Sequence, residues 1–202
     1  MTVTGVIQAG GRSTRMGGEP KALMELGGKR IIERIVDVLG PVLPDLLIVT
    51  NTPELYAFLG LPMVPDVFPD HGSLGGIYSG LKAAKGAAAF TVACDMPFLK
   101  AEVVRLVVSH AGEADVVIPK VGGQYETLHA LYAKACLPHM EAALKANRFK
   151  VIGFFHQVKV LEIPEAEVVR LADPHVCFMN VNTPEELAQA RAILDARPGA
   201  GN

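Results

Sequence analysis

Tryptophan is absent from this sequence of 202 residues, and cysteine occurs only three times. The cysteines, Cys94, Cys136 and Cys177, are odd in number and far apart, which argues against a disulfide framework and against a C-x-x-C metal site. They read as reduced thiols of the core. The six histidines, His71, His110, His129, His139, His156 and His175, nowhere adopt the H-E-x-x-H spacing of a helical zinc site. No serine or cysteine stands in a G-x-S-x-G elbow, so covalent catalysis has no candidate nucleophile. Apolar runs fall well short of the roughly 20 residues that span a bilayer. The opening Met1-Thr2-Val3-Thr4 carries neither the basic nor the long apolar segment of an export signal, so a cytoplasmic location is expected. Sustained basic runs are missing too, and the net charge is −2, which makes nucleic acid and anionic membranes poor partners. Small charged ligands remain open.

What is present is an ordinary globular mixture, 50% apolar and 20% charged. One domain over residues 1–196 is expected, with the Pro- and Gly-rich stretch 197–202 as a frayed tail that has nothing to bury. Short apolar runs at Val3–Gln8, Asp45–Thr50, Leu61–Val64, Ala87–Cys94, Asp115–Pro119, Thr127–Tyr132 and Val158–Ile163 read as strands. Helical spacing appears at Arg30–Leu39, Gly75–Lys85, Ala101–Ala111 and Ala133–Ala146, and Pro53 opens a short helix. The last helix is the best marked, with Thr183 as N-cap, Pro184 at its first position and Glu186 completing a capping box. Such alternation predicts an α/β fold, Rossmann-like and doubly wound, with a mostly parallel sheet flanked by helices and ligands at the carboxyl ends of its strands.

The most informative segment runs Gln8-Ala9-Gly10-Gly11-Arg12-Ser13-Thr14-Arg15-Met16-Gly17-Gly18-Glu19-Pro20-Lys21. An apolar strand stops in glycines, and spaced basic residues follow. Glycine backbone can come close to a ligand, so successive N–H groups converge on an anion, while Arg12, Arg15 and Lys21 add charge. The spacing fits neither a P-loop nor a G-x-G-x-x-G fingerprint. A flexible β-to-α turn is the plain alternative. The segment resembles the signature loop of nucleotidyltransferases that activate sugars and cofactors, roughly L-A-G-G-x-S-x-R-M-G followed by a lysine. It matches from Ala9 to Lys21 and departs at Gln8, where that family has an apolar residue such as Leu.

Four further segments carry candidate chemistry. Asp95, in Cys94-Asp95-Met96-Pro97-Phe98-Leu99, follows a strand and offers hard oxygens to Mg²⁺, or else caps the next turn. Asn51 follows another strand and caps the helix from Pro53 or meets a ligand. Asn182, in Asn180-Val181-Asn182-Thr183-Pro184, is either turn chemistry or a site residue. The loop Asp66-Val67-Phe68-Pro69-Asp70-His71-Gly72-Ser73-Leu74-Gly75-Gly76 leads into a helix.

These segments together resemble the molybdenum cofactor guanylyltransferases, over almost the whole chain, with Ser73 where proline is usual. The resemblance implies a nucleotide-diphospho-sugar-transferase-like fold, Mg²⁺, and GMP transfer from GTP to molybdopterin with release of pyrophosphate. It places Gln8, Ala9, Gly10, Gly11, Lys21, Asn51, Asp66, Asp95 and Asn182 around the nucleotide, with Lys21, Arg15 and Asp95 as catalytic groups and Asp95 as metal ligand. Gly72-Ser73-Leu74-Gly75-Gly76 favours GTP over CTP on the same grounds, and Gly122–Glu126 becomes an acceptor-facing loop. GTP, molybdopterin and proteins that hand over the pterin are the implied partners. Cytidylyl transfer to molybdopterin, guanylyl transfer to a sugar phosphate, and non-catalytic nucleotide binding are the rival readings.

Overall fold

The computed structural model describes residues 1–10 and 20–196. Gly11, Arg12 and Arg15 of the glycine loop, and the tail 197–202, lie outside the described residues.

The first strand, β1 (Val3–Gln8), is buried at all six positions, as an inner parallel strand covered on both faces must be. In chain order follow β2 (Glu25–Leu26), β3 (Lys29–Arg30), β4 (Leu46–Val49), β5 (Met63–Val64), β6 (Ala88–Ala93), β7 (Val116–Val121), β8 (Gln124–Tyr125), β9 (His129–Ala133) and β10 (Val160–Pro164). The helices are α1 (Ile31–Leu39), α2 (Gly72–Ala83), α3 (Ala101–Ser109), α4 (Leu137–Lys145), α5 (Glu165–Val169), α6 (Pro174–Cys177) and α7 (Pro184–Asp195). The main sheet runs β10-β7-β9-β6-β1-β4-β5, and β8 pairs with the end of β7. Pairs β1–β4, β1–β6, β4–β5 and β7–β10 are parallel. β9 runs antiparallel between β6 and β7. Residues 122–128 are too few for the crossover of a dozen or more residues that a parallel return requires.

The two sheet faces are sorted by strand alternation. Ile7, Phe90, Val92, Leu131 and Val117 pack with Ile31, Ile35, Val103, Val107 and Leu187 of α1, α3 and α7. Val6, Leu47, Val49, Ala130 and Ile118 pack with Ile77, Leu81, Met140 and Leu144 of α2 and α4. The result is the expected doubly wound, mostly parallel sheet. After β4 and β5 the chain crosses by α2 to β6, so the order reverses at β1, and the glycine loop leaves the sheet at that switch point.

α2 contains four glycines, and the three inside it, Gly75, Gly76 and Gly80, each cost about 1 kcal/mol of propensity against Ala. Close packing offsets this cost. A Cβ on Gly80 would collide with Val6 and stand 3.1 Å from Val49 Cγ2, so the glycine is what lets α2 lie directly on β1 and β4. The helix starts at Gly72, three residues before the expected Gly75. The helix expected over Ala133–Ala146 is instead a tight turn at Lys134–Cys136 followed by α4, because Pro138 belongs in a first turn. Cys136 is therefore a buried N-cap residue and not a mid-helix one. The hairpin β2–β3 was not expected, although Gly27 and Gly28, at φ +59° and +75°, supply the paired positive φ of a two-residue turn. At α7 the capping box forms as expected, with Glu186 N donating to Thr183 Oγ1 at 3.2 Å and Thr183 N donating to Glu186 Oε2 at 3.1 Å. Among the described residues no helix is long and apolar enough to cross a membrane.

Candidate active site

Of the residues singled out in the sequence, Gln8, Ala9, Gly10, Lys21, Asn51, Asp66, Asp95 and Asn182 are described, and they lie at one edge of the sheet, beyond the carboxyl ends of β1, β4 and β6. The ladder continues past the strands there. Ala9 N donates to the Val49 carbonyl at 2.9 Å, Cys94 N to the Gln8 carbonyl at 3.1 Å and Thr50 N to the Val64 carbonyl at 2.9 Å. Ala9 is buried under this floor and Gly10 is exposed on it.

Two long-range contacts assemble one side of this edge. Lys21 opens a 3-10 turn and donates from Nζ to Asn182 Oδ1 at 2.6 Å, across 161 residues of sequence. Val181 N donates to the Asp95 carbonyl at 2.9 Å, which lays the segment before α7 against the end of β6. Asn182 N in turn donates to Glu186 Oε2 at 2.5 Å, so the carboxylate that caps α7 also orients Asn182. Asp95 is half-buried, and burial raises its carboxyl above the ordinary range although Lys21 pulls the other way. Its Oδ1 is buried and accepts no hydrogen bond among the described residues, unlike an Asp spent on capping a turn. Burial, with Asp95 adding to it, pushes the neighbouring Cys94 thiol up to about 12, so it stays protonated and is no nucleophile.

The other side of the edge is built around Asp66. Asn51 Oδ1 accepts from Asp66 N at 2.9 Å, while the turn at Pro53–Leu55 has Thr52 as its cap residue, so Asn51 is not used as a helix cap. Asp66 Oδ1 accepts from Phe68 N at 3.0 Å and from Ser79 Oγ at 2.8 Å, and Ser79 Oγ accepts from Val67 N at 2.8 Å. A Cβ on Gly75 would stand 3.3 Å from both Asp66 carboxylate oxygens. The carboxylate is thus seated against a bare stretch of α2. Sequence reading missed Ser79, since a lone serine inside a helix carries no motif. It also saw Glu186 only as a cap.

The loop Gly122–Glu126 reaches the same edge, because β9 enters antiparallel with His129 opposite Val92 near the end of β6. Lys120 Nζ and Tyr125 OH both meet Glu162, and Gly122 N donates to Glu165 Oε2 at 2.8 Å. Glu126 is half-buried, and burial raises its carboxyl.

Residues 5–159 match the MobA-like NTP transferase domain. The chain belongs to this family. Among proteins similar to this MobA-like transferase, the probable molybdenum cofactor guanylyltransferase of Pelotomaculum thermopropionicum is 40% identical over 195 residues, covering 96% of this chain and 95% of that protein. The molybdenum cofactor guanylyltransferase of Desulfosudis oleivorans is 39% identical over 196 residues, covering 96% of each. A solved structure of molybdopterin-guanine dinucleotide biosynthesis protein A from Archaeoglobus fulgidus superposes with a TM-score of 0.82 at 25% identity, over 98% of this chain and 100% of that one.

Proposed function

We propose that this chain is a molybdenum cofactor guanylyltransferase, joining the GMP part of GTP to molybdopterin and releasing pyrophosphate. The reading rests on full-length identity of about two residues in five to proteins of that name. It is supported by the meeting of Lys21, Asn182 and Asp95 at the edge where the glycine loop leaves β1. In this reaction an oxygen of the pterin's terminal phosphate attacks the α-phosphorus of GTP. A new P–O bond forms there, and the bond to the β-phosphate breaks with its electrons on pyrophosphate.

The protein's work is positioning and charge neutralisation. Lys21, held by Asn182, places its ammonium at the α-phosphoryl group. Gly10, with Gly11 and Arg15 of the same loop, holds the β- and γ-phosphates on backbone N–H groups and guanidinium. Asn51 and Asp66 fix the nucleoside. The orphaned Oδ1 of Asp95 suits a divalent cation, and no group of three His, Cys, Asp or Glu side chains competes for one among the described residues. Mg²⁺ bound through one carboxylate plus substrate phosphates fits this donor set, and when bound it withdraws charge from the phosphate oxygens.

Pyrophosphate release, followed with purified protein, Mg²⁺, GTP and molybdopterin, tests the assignment. Release that requires both GTP and the pterin supports it. Release with CTP in place of GTP moves the chain to cytidylyl transfer, release with sugar phosphates moves it to sugar activation, and binding without release leaves a nucleotide-binding protein.

A further inference from the structure

β1 ends in a side chain whose hydrogen-bonding capacity its surroundings do not use. Gln8 projects from the face of β1 that α2 covers, in line with Val6 two residues earlier, and is 9% exposed. Its Nε2 is buried with no hydrogen-bond partner among the described residues. An amide donor withdrawn from water and left unpaired destabilises the fold, so a partner arriving later is the economical explanation.

The neighbours say where that partner would sit. A Cβ on Gly76 would meet Gln8 Oε1 first and stand 2.7 Å from Cδ and 3.3 Å from Cγ, so the amide packs against α2 through its oxygen. The preceding glycine, Gly75, is approached in the same way by the Asp66 carboxylate. Gln8 from β1 and Asp66 from the loop before α2 therefore lie against two successive glycines of one helix. Val49, the partner of Gln8 in the sheet, stands two residues before Asn51, whose side chain holds Asp66 N. With the amide oxygen turned to α2, the unpaired Nε2 is the group left for a ligand, and an amide donor with a carboxylate on the neighbouring loop suits a flat heterocycle that offers an acceptor beside donors. Guanine is such a ring, with O6 next to N1–H and the 2-amino group, whereas cytosine and adenine turn an amino group toward the donor.

Resting on the guanylyl reading above, we propose that Gln8 Nε2 donates to O6 of the bound guanine and that Gln8 is a base-selecting residue of this chain. The test is a binding cycle in Mg²⁺ with GTP and with 2-aminopurine riboside triphosphate, which lacks O6, on wild type and Gln8→Leu, together with thermal unfolding of both proteins without nucleotide. Leucine keeps the volume and removes the donor. Gln8→Leu should weaken GTP about fivefold and leave the O6-less analogue unchanged. It should also melt at or above wild type without nucleotide, a split that a purely structural glutamine would not give. If Gln8→Leu fails to fold, Gln8→Met runs the same cycle. Equal weakening of both nucleotides, or unchanged GTP affinity, overturns the inference while wild-type selection of GTP keeps the guanylyl reading. Wild-type preference for CTP overturns both.

Discussion

His129 opens β9 fully buried, with the rings of Phe90 and Phe178 edge-on at centroid distances of 5.1 and 4.9 Å. Neither ring nitrogen has a hydrogen-bond partner among the described residues, and burial pushes its pKa down from 6.5 to about 3. An unfolded chain takes up this proton near pH 6.5, the folded one only near pH 3, so between those values the unfolded state binds more protons and stability falls as pH falls. Integrated from pH 7 to pH 4, the loss through this one residue is about 3 kcal/mol, or roughly 6–12 °C of melting temperature in a chain of this size. His129→Leu cannot protonate and keeps a similar volume. Urea unfolding of both proteins at pH 7, 6, 5 and 4 should show the stability difference moving in favour of the variant by about 3 kcal/mol as pH drops. Two curves that stay parallel would refute the argument, because they would mean that the imidazole titrates alike folded and unfolded.

Asp95→Asn should abolish Mg²⁺-dependent pyrophosphate release. Because burial raises the Asp95 carboxyl, the ionised group costs stability as pH rises through its folded pKa, and the variant without nucleotide should melt about 2–4 °C higher at pH 7, read by calorimetry. Lys21→Ala should lower turnover by at least about 10²-fold while leaving the far-UV circular dichroism unchanged; near-normal turnover would remove Lys21 from the chemistry. Gly80→Ala should lower stability by about 1–3 kcal/mol in urea unfolding, since its Cβ meets Val6 and Val49. Gly153→Ala, where a Cβ meets nothing within 4 Å, serves as the neutral comparison.

The legible parts of this fold are those with a local cause. Val3–Gln8 could be read as a buried strand because its first five residues are apolar or small enough to be covered on both faces, and α7 because its capping box is written in Thr183 and Glu186. The expected start of α2 at Gly75 falls three residues late because Gly72 and Ser73 look like loop, and the close approach of β1 to Gly76 and Gly80 is a tertiary contact with no local signal. The direction of β9 was readable in principle from the seven residues 122–128 and was not drawn out. The site divides in the same way. Gly10, Lys21, Asp66 and Asp95 lie in recognisable segments, but the bond between Lys21 and Asn182 has no sequence spacing, since the fold alone brings them together. Ser79 and the unpaired amide of Gln8 are visible only once α2 is packed on the sheet.

The Lys21–Asn182 bond also gives the site a schedule. Ribosomes add about 5–20 residues per second, so the 161 residues between the two partners correspond to roughly 8–32 s of synthesis. During that interval β1, α2 and β6 can pair and hold Gly10, Asp66 and Asp95 in place, while Asn182, which accepts from the Lys21 ammonium, is still to be made. The closing contact comes later still, when Leu194 of α7 packs onto Gly27 of the hairpin just beyond Lys21. A nascent chain would thus pair its sheet around Gly10, Asp66 and Asp95 well before Asn182 reaches Lys21, and that edge would be complete only when its last helix docks.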